Sequence, residues 1–551
     1  MRQIGEGKRP KSKNRNLLIT LPVFLLGLSA CSRSLLQDSS MTEATIKFKD
    51  QIVVDLGWEE YGFFQRGFDP TQGWSWNSYS DPLFQSRLFR RDAERGLIND
   101  LAESYRLSRD RKVWTVAIRR NVRFSDGSPL TARDVAYTFN TYRPEIDRYF
   151  LDRAIATGDY EVQFHLKQPD ITFVDRMASV GIVPKHAHNE NYARNPVGSG
   201  PYKLVQWNEG EQLVIEANPT YYGQSPKIKR VVFLFTQGDA AFAAAKGGYT
   251  HVAKIPQTLA EQPVAGMQLH QIKSFDHTTL LFPFIPYTGK QNAQGYEIGN
   301  NVLSDRAIRQ AINYTIDRRV LVGAILWGYG SPVYGFPSGP PFQKPAPAIQ
   351  DADREHAQQI LLKAGWQDTN GNGMIDKQGV EGEFNLLYFA SLPEQQGFAL
   401  AITQMLRPLG IKVNAQGSSW EKMKHRTHRD AWLYPLVTRP QDLYSLYRSP
   451  TGLADGRLNY SAYANFTVDQ RLDQAMNAPS ELDASQFWQQ AQWDGRTGIG
   501  VRGDAASAWL VNHHDLYLVN QCLDLGRAGK PSTGYQGPLL SNITNWEWIC
   551  K

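Results

Sequence analysis

The sequence contains very little cysteine and lacks the short motifs that mark common classes of enzyme. Three cysteines in 551 residues exclude a small scaffold built on disulfides, which needs several pairs. No G-x-S-x-G, H-E-x-x-H or P-loop motif occurs, so the usual signatures of hydrolases, zinc peptidases and nucleotide sites are missing. One apolar run, Leu17–Leu28, is shorter than the roughly 20 residues of a transmembrane helix. These absences favour a binding function over catalysis.

The chain also has almost no excess charge outside its first residues. The formal net charge is +6, but residues 1–30 carry +5 from six Lys and Arg side chains against Glu6, which leaves +1 for the rest. This balance argues against a basic surface for nucleic acid. We therefore expect no nucleic-acid partner.

What the sequence does have is length and aromatic side chains. A chain of 551 residues is too long for a single core and predicts two or three subdomains. Hydrophobic residues at 41% and charged residues at 21% are ordinary for a globular protein. Aromatic residues reach 12%, with 14 Trp and 25 Tyr. This surplus fits either large cores or a cleft lined with flat side chains.

The N-terminus has the order of a secretory signal. A basic stretch precedes the apolar run, which ends Leu28-Ser29-Ala30-Cys31. This ending resembles a bacterial lipobox. The resemblance implies a signal peptide over residues 1–30, a lipid on Cys31 and a polar tether over residues 31–45. The alternative is an ordinary signal peptide in which Cys31 occurs by chance.

The clearest local pattern lies in the first third of the chain. Residues Val113–Ile118 are apolar on both alternating faces and predict a strand that is covered on both sides. Asp126-Gly127 predicts a tight turn, because Gly adopts positive φ without a steric penalty. Thr131 is a good N-cap, and Asp134 falls in the first turn of the helix that follows. The stretch therefore predicts a strand, a turn and a helix in that order.

Four stretches along the chain have a distinctive order of residue types. They are FSDGSPLTARDVAYTFN from residue 124, VGSGPY from residue 197, IRQAINYTIDRRVLVGAILWGYG from residue 308 and NYSAYANFTVDQRLDQA from residue 459. They resemble the family 5 extracellular solute-binding proteins, which are the dipeptide, oligopeptide and nickel receptors of ABC importers. The resemblance implies an α/β fold of the periplasmic-binding-protein type (cluster C), with two hinged α/β lobes around a ligand cleft and an extra subdomain.

The same resemblance divides the chain into three parts, and the first lobe is discontinuous. The expected parts are lobe I in residues 46–75, 197–295 and 512–551, the extra subdomain in residues 76–196, and lobe II in residues 296–511.

Local patterns predict three further elements. Pro82–Phe89 resembles a helix of the family. Ser304 is expected to cap a helix with an isoleucine stripe. Trp509–Asn512 and Leu516–Val519 resemble two strands that return to lobe I.

The ligand is expected to contact the stretch 434–447. Many peptide receptors of the family place an Asp-Pro pair there, and its carboxylate neutralises the N-terminal ammonium of the peptide. This sequence has Arg439-Pro440 at the aligned position. A buried guanidinium repels an ammonium but binds a carboxylate through two parallel hydrogen bonds. Tyr434 takes a position that is aromatic in nickel receptors, Thr438 is the neighbour of Arg439, and Asp442 is an alternative acidic partner.

This departure favours a cargo rich in carboxylates. The cargo is either a peptide or a nickel or other metal chelate, such as a nickel–amino-acid complex or an opine-type metallophore. Several stretches, PLFQS and GSGPYKLVQW among them, are most similar to the nickel and metallophore branch of the family. Trp74 and Trp76 lie in a stretch with Gly and Ser, and they either line the cleft or belong to a core.

No complete metal site is apparent. The chain has three pairs of neighbouring histidines, which are His186 and His188, His425 and His428, and His513 and His514. Imidazole suits Ni²⁺, but no pair has enough nearby Cys, Asp or Glu, and His425 and His428 lie in a basic stretch that predicts an exposed helix. Asp368–Gly373 begins like a calcium loop, yet its twelfth position is Gly379 instead of a bidentate Glu. We expect no cofactor, and any metal would be cargo.

The resemblance implies a non-enzymatic receptor of an ABC importer. It would act as a monomer, anchored by lipid on the periplasmic side of a bacterial envelope, and would deliver its cargo to a permease whose ATPases drive import. The alternatives are a surface sensor or adhesin, or a serine hydrolase that uses Ser419 and Lys422 of an S-x-x-K match whose companion motifs are absent. Cys522 and Cys550 either pair in an oxidising compartment or remain thiols.

Overall fold

The computed structural model describes residues 51–56, 67–72, 83–92, 96–142, 150–236, 238–292, 294–336, 349–437, 440–449, 458–526 and 538–550. The expected signal peptide, Cys31 and tether lie outside these ranges, and their assignment stays a prediction. Within these ranges no helix combines the length and the apolar character that a bilayer crossing requires.

Strands alternate with helices along most of the chain. The strands are β1 (Gln51–Asp55), β2 (Phe89–Asp92), β3 (Gly96–Asn99), β4 (Ala102–Leu107), β5 (Val113–Ile118), β6 (Leu151–Gly158), β7 (Glu161–Leu166), β8 (Tyr202–Asn208), β9 (Gln212–Ala217), β10 (Arg230–Leu234), β11 (Val252–Ile255), β12 (Met267–Leu281), β13 (Gly330–Pro332), β14 (Asp376–Lys377), β15 (Val380–Glu381), β16 (Glu383–Phe389), β17 (Lys412–Ser418), β18 (Ala431–Val437), β19 (Ser507–Asn520), β20 (Leu523–Asp524) and β21 (Glu547–Trp548).

The α-helices are α1 (Ala132–Thr141), α2 (Phe173–Ser179), α3 (Gly238–Lys246), α4 (Arg306–Thr315), α5 (Arg318–Ile325), α6 (Arg354–Lys363), α7 (Pro393–Leu406), α8 (Trp420–Met423), α9 (Pro440–Tyr447), α10 (Phe466–Met476) and α11 (Glu481–Gln492). Short 3₁₀ helices span Gln257–Leu259, Arg407–Leu409 and Pro538–Asn545.

One 11-stranded mixed sheet organises the structure. Its order is β17-β16-β18-β12-β19-β11-β1-β10-β9-β8, and β13 pairs with β19 beside this path. Strand β1 runs parallel to β10 and β11, and β16 runs parallel to β17 and β18. The sheet therefore contains two parallel sets, joined in its centre by β12 and β19.

The two central strands pass from one half of the sheet to the other. The 15 residues of β12 and the 14 residues of β19 run antiparallel. Their register shifts between Lys273 and His277, and again between Thr278 and Thr279. Such bulges bend a strand and increase its local twist. We call β12 and β19 the crossing strands.

A separate four-stranded sheet carries the strand–turn–helix unit that the sequence predicted. Its order is β4-β5-β7-β6. On β5, Trp114, Val116 and Ile118 are buried on one face, and the other face is only partly covered. Helix α1 follows as predicted, and the Asp134 carboxylate accepts hydrogen bonds from the Thr131 amide at 2.9 Å and hydroxyl at 3.1 Å. This reciprocal arrangement fixes the start of the helix.

The VGSGPY stretch is explained by close backbone packing. A Cβ on Gly198 would lie 1.9 Å from the Phe84 carbonyl oxygen, and a Cβ on Gly200 would lie 2.7 Å from that of Leu83. Only glycine fits at both positions without moving the chain.

Two local predictions were wrong in detail. Leu83–Leu88 forms bends and Phe89 starts β2, so Pro82–Phe89 is not a helix over its described residues. Asp305, one residue after Ser304, caps α4 and accepts from the Ala307 amide at 2.9 Å, because its carboxylate reaches an N-terminal N–H that Ser304 is one residue too early to reach.

The C-terminal region and the second histidine pair also differ from expectation. Trp509–Asn512 and Leu516–Val519 belong to one continuous strand, β19, because both parts pair with β12. Helix α8 ends at Met423, so His425 and His428 lie in turns that follow it. The Ile308, Ile312 and Ile316 stripe is buried as predicted.

Apolar side chains form several cores. One core joins residues of the range 88–182 to residues of the range 443–509. The sequence assigned these two stretches to different parts of the chain, and the parts themselves stay a prediction. Arg91 makes the same connection through polar atoms, because it donates to Asp175 at 2.9 Å and to Glu481 at 3.0 Å.

The C-terminal segment is bonded to the strand that precedes it. Cys522 and Cys550 form a disulfide with a Cα–Cα distance of 5.0 Å. Strand β20 pairs with β21 beside it, with Leu523 opposite Trp548. The sequence left open whether the two sulfurs meet, since their spacing carries no information about distance in the fold.

Candidate functional site

The carboxyl ends of one parallel set lie together at an edge of the large sheet. Leu387 of β16 is opposite Trp432 of β18, and Phe389 of β16 is opposite Ser418 of β17. Strands β16 and β17 therefore end at the same level, and β18 continues three residues further in the same direction, to Val437. Ligands of open α/β sheets bind outside such carboxyl ends.

The other parallel set ends toward the same place. Ile255, the last residue of β11, is opposite Leu516 of β19. In the second half of the sheet, Val437, the last residue of β18, is opposite Asp276 of β12, while His277 is opposite Asn512. The two carboxyl edges therefore face each other across the bulge in the crossing strands. We take this region as the candidate ligand site.

The bulge between the edges is polar, and side-chain hydrogen bonds to backbone carbonyls hold it together. Asn512 donates from Nδ2 to the carbonyls of Ser274 at 2.9 Å and Asp276 at 3.0 Å. The Ser274 hydroxyl donates to the carbonyl of His513 at 2.9 Å, and the Thr278 hydroxyl lies 2.7 Å from Nε2 of that histidine. Burial lowers the pKa of His513 to about 4, so this imidazole is neutral at neutral pH.

The first half of the sheet contributes a buried carboxylate at its edge. Asp55 ends β1 and is fully buried. It accepts hydrogen bonds from the Thr236 amide at 3.3 Å and from the Thr236 hydroxyl at 2.6 Å. These bonds tie the end of β1 to the loop that follows β10.

The second half contributes a cluster of aromatic rings, which we call the aromatic wall. Its members are Phe389, Trp420, Trp432, Tyr434 and Tyr460. Ring centroids of Trp432 lie 4.7 Å from Tyr434, 5.4 Å from Tyr460 and 5.9 Å from Trp420. Phe389 stacks on Trp420 at 6.3 Å with an interplanar angle of 28°.

The strand register explains how the wall forms. Thr279 of β12 is opposite Tyr434, and Leu281 is opposite Trp432, so these side chains share one face of the sheet. Leu281, Trp432 and Met423 pack together as a small core. The opposite face, with Leu433, packs against the core of helices α4 and α7. The wall is therefore fixed from behind by a well-packed sheet.

The polar atoms at the wall are uncharged. Burial lowers the pKa of His428, whose ring lies 5.7 Å from that of Tyr460, and burial raises the pKa of Tyr460 to about 12. The indole N–H of Trp432 and the hydroxyl of Thr279 are buried and make no hydrogen bond within the described part of the chain. An unsatisfied buried polar group costs roughly 1–3 kcal/mol.

Only some of the predicted ligand residues fall within the described residues. Tyr434 lies on β18 at the candidate site and is partly exposed. Thr438 and Arg439 follow β18 directly but lie outside the described residues, as do Trp74 and Trp76. Their contact with a ligand stays a prediction. Asp442 is buried in the first turn of α9.

Sequence reasoning missed four members of the wall. Phe389, Trp420, Trp432 and Tyr460 are separated by as many as 71 residues along the chain. The available signal was that Phe389 ends a β-strand pattern and Trp420 follows another. The sequence drew attention to Ser419 and Lys422 instead, where Ser419 is the N-cap of α8 and Lys422 is exposed.

The histidines and the calcium-like loop have structural partners. His186 lies 2.7 Å from Asp126 at the surface, and buried His188 lies 3.1 Å from Asp69. The Asp368 carboxylate accepts from the amides of Gly371 at 2.7 Å and Gly373 at 2.9 Å. Over the residues that the structure describes, no group of three His, Cys, Asp or Glu side chains is placed to hold a metal ion.

Comparison with known proteins gives a consistent result. The family model described as bacterial extracellular solute-binding proteins, family 5, middle, matches residues 96–453. Protein XP55 of Streptomyces lividans is 33% identical over 409 residues, which is 70% of this chain and 72% of that protein. The oligopeptide-binding protein AppA of Bacillus subtilis is 27% identical over 508 residues, covering 86% of this chain and 90% of that protein.

Solved structures show the same fold. NikZ from Campylobacter jejuni, in complex with Ni(L-His), superposes with a TM-score of 0.71 at 21% identity and covers 91% of this chain and 99% of its own. AppA from Bacillus subtilis, in complex with a nonapeptide, gives a TM-score of 0.68 at 24% identity with the same coverage. The α/β architecture with two hinged lobes around a cleft and an extra subdomain is thereby confirmed.

Proposed function

Since the chain belongs to the bacterial extracellular solute-binding proteins of family 5, we propose that it is the substrate-binding lipoprotein of an ABC importer. It captures a peptide or a metal chelate between its lobes and delivers it to a permease. The observation that carries the proposal is the meeting of two carboxyl edges across the bulge of β12 and β19. This is where a closing cleft holds its ligand.

The chemistry at the end of β18 supports a carboxylate-bearing cargo. Arg439 comes two residues after Val437, the last residue of that strand. A guanidinium there would grip a carboxylate through two parallel hydrogen bonds. Peptides and metal–amino-acid complexes both carry carboxylates, and relatives named above bind a nonapeptide or Ni(L-His). Because both kinds of cargo carry carboxylates, the proposal includes peptides and metal chelates.

Capture proceeds by closure of the lobes. The cargo enters the open cleft and binds more tightly to the closed form, so binding shifts the population toward closure. The bent region of the crossing strands absorbs the motion, while Arg439, Tyr434 and Thr438 contact the cargo. Cys31 carries the lipid, and residues 31–45 form a flexible tether between the membrane and the folded receptor. Metal, where present, is carried as part of the cargo.

The first experiment is native mass spectrometry of the full-length protein purified from a bacterial host, with metal analysis of the same sample. A ladder of peptide masses identifies a peptide receptor. Stoichiometric nickel, cobalt or zinc with a small organic mass identifies a chelate receptor. A ligand-free protein that also fails to bind defined peptides and Ni(L-His)₂ in calorimetry would reject the proposed function.

Arg439→Ala tests the role of the guanidinium. Losing a charge-assisted bidentate pair is expected to weaken binding of the identified cargo at least about tenfold. Arg106→Ala is the matched control, because its side chain is 70% exposed on the four-stranded sheet. If Arg439→Ala binds every carboxylate-bearing ligand with unchanged affinity, Arg439 does not bind the carboxylate of the cargo.

A further inference from the structure

We propose that the aromatic wall is a subsite for an aromatic or bulky apolar side chain of a peptide cargo. The inference rests on the proposed function, because it names the chemical class that the same cleft receives. It assigns to Trp420 and Phe389 the role of selecting that side chain.

Exposure changes steeply across the wall. Trp432, at its base, is 1% exposed, whereas Trp420 is 38% exposed. The Trp420 ring is therefore supported by other aromatic rings and still has part of its surface open to solvent. Covering an exposed indole with another apolar group is favourable, because it removes apolar area from water on both partners.

The position of Trp420 is fixed by the backbone around it. Ser419 directly follows β17, and the amides of Lys422 and Met423 donate to its carbonyl at 3.1 and 3.0 Å. Met423 is buried beneath the wall. Trp420 is thus held at the carboxyl edge before any cargo arrives, and a pre-organised ring loses little entropy on binding.

Four charged groups near Trp420 form ion pairs with one another, and Lys422 is exposed to solvent. Glu421 forms an ion pair with Lys424 in the same turn, and Arg426 donates to Asp430 at 2.6 Å. His428, which touches the wall, has a pKa lowered by burial. The rings themselves carry no charge. An ammonium placed against the wall would lose hydration without a free carboxylate among these groups.

Unsatisfied polar atoms at the base favour a peptide over a plain hydrocarbon. The Trp432 indole N–H and the Thr279 hydroxyl lack hydrogen-bond partners within the described residues. A peptide presents backbone carbonyls at regular intervals next to each side chain. A side chain on the wall would therefore bring an acceptor toward these donors when the lobes close.

The experiment measures how the wall changes selectivity between peptides. The full-length protein is titrated by calorimetry with tetra-alanine and with the four tetrapeptides that carry one Phe in place of one Ala. We expect one Phe position to bind about tenfold more tightly than tetra-alanine. In Trp420→Ala this preference should fall to about threefold or less.

Controls separate selectivity from folding. Trp327→Ala removes a tryptophan that is 59% exposed and is not part of the wall, and it should keep the full preference for Phe. Phe389→Ala should lower the preference as Trp420→Ala does. Circular dichroism spectra and thermal midpoints close to those of the unchanged protein establish that each variant is folded. Trp420→Leu replaces Trp420→Ala if the latter is unstable.

The outcomes distinguish this inference from the proposed function. If tetrapeptides bind but the preference for Phe is absent, or is the same in Trp420→Ala, the subsite is rejected and the proposed receptor function is retained. If a Lys-containing or Glu-containing tetrapeptide gains more than the Phe peptide, the subsite is rejected as well. Binding of Ni(L-His)₂ without binding of any peptide rejects the peptide subsite and keeps the receptor. Binding of no probe rejects both.

Discussion

At the scale of single residues, two arginines of the stretch that begins at residue 308 have clear structural roles. Arg309 is buried and donates to the carbonyls of Leu303 and Ser304 at 2.8 Å, and its guanidinium lies over Phe284. Arg318 is fully buried and forms an ion pair with Asp351 at 2.7 Å. Both side chains therefore hold neighbouring segments of the fold together, which gives these two arginines of the motif a structural role.

Replacement of Arg318 should therefore destabilise the protein strongly. Arg318 also donates to the carbonyls of Trp509 at 2.6 Å and Val333 at 3.0 Å. In Arg318→Met these carbonyls lose a donor and the buried Asp351 carboxylate loses its charged partner, so the free energy of unfolding should fall by about 3–5 kcal/mol. Unfolding of the purified variant and of the unchanged protein in denaturant measures this difference in free energy.

A neighbouring arginine supplies the control for this prediction. Arg319 is exposed on the same helix, and Arg319→Met should change the unfolding free energy by less than about 0.5 kcal/mol. Arg318→Lys should remain well below the original stability, because an ammonium does not reproduce the planar fork. Equal effects of Arg318→Met and Arg319→Met would contradict the assigned role.

At the scale of secondary-structure elements, the crossing strands are the decisive feature. Three residues of β12, Ser274–Asp276, stand opposite the single residue His513 of β19. The carbonyls released by this bulge are bonded by the Asn512 side chain instead of a neighbouring strand. The bulge is thus a specific structure in which side chains complete the backbone hydrogen bonding.

Asn512→Ala should weaken the bulge. Two buried carbonyls lose their donor, and each unsatisfied group costs about 1–3 kcal/mol, so the unfolding free energy should fall by about 2–4 kcal/mol. Gln268→Ala, an exposed position on β12, should have little effect. Thermal and denaturant unfolding compare the two variants. A stability of Asn512→Ala equal to that of Gln268→Ala would show that the amide is not needed there.

At the scale of the whole molecule, distant stretches are joined by a few specific contacts. Arg91 connects to Glu481 across 390 residues of sequence. The disulfide closes a segment of 28 residues and holds β21 against β20. The C-terminal segment also packs the buried Trp546 into the core of the first half of the sheet.

Opening the disulfide should lower the thermal midpoint of the protein. Closing a loop of this length lowers the entropy of the unfolded chain and thereby stabilises the folded protein by about 3–4 kcal/mol. Addition of a reductant should bring the midpoint of the unchanged protein to that of the variant with both Cys522→Ser and Cys550→Ser. The variant itself should not respond to reductant. A fully reduced protein with an unchanged midpoint would contradict this expectation.

Much of the local structure follows from the sequence alone. Local patterns explain the strand Val113–Ile118, the capped start of α1 and the buried isoleucine stripe of α4, since each pattern links residues no more than four positions apart. Apolar periodicity and capping act over that range. The family and its fold were identified from the resemblance carried by the order of residue types in the four motifs.

The candidate site was decided by tertiary structure. The aromatic wall needs β16, β17 and β18 to lie side by side, and it needs the loop that carries Tyr460 to pack against them. Likewise, the meeting of Cys522 with Cys550 and the bond of Arg91 to Glu481 depend on how distant segments pack. The sequence by itself determined local elements and family, because neighbouring residues set them. The wall, the polar bulge and the meeting of the two carboxyl edges were decided by the tertiary structure, because long-range strand pairing sets which side chains share a face.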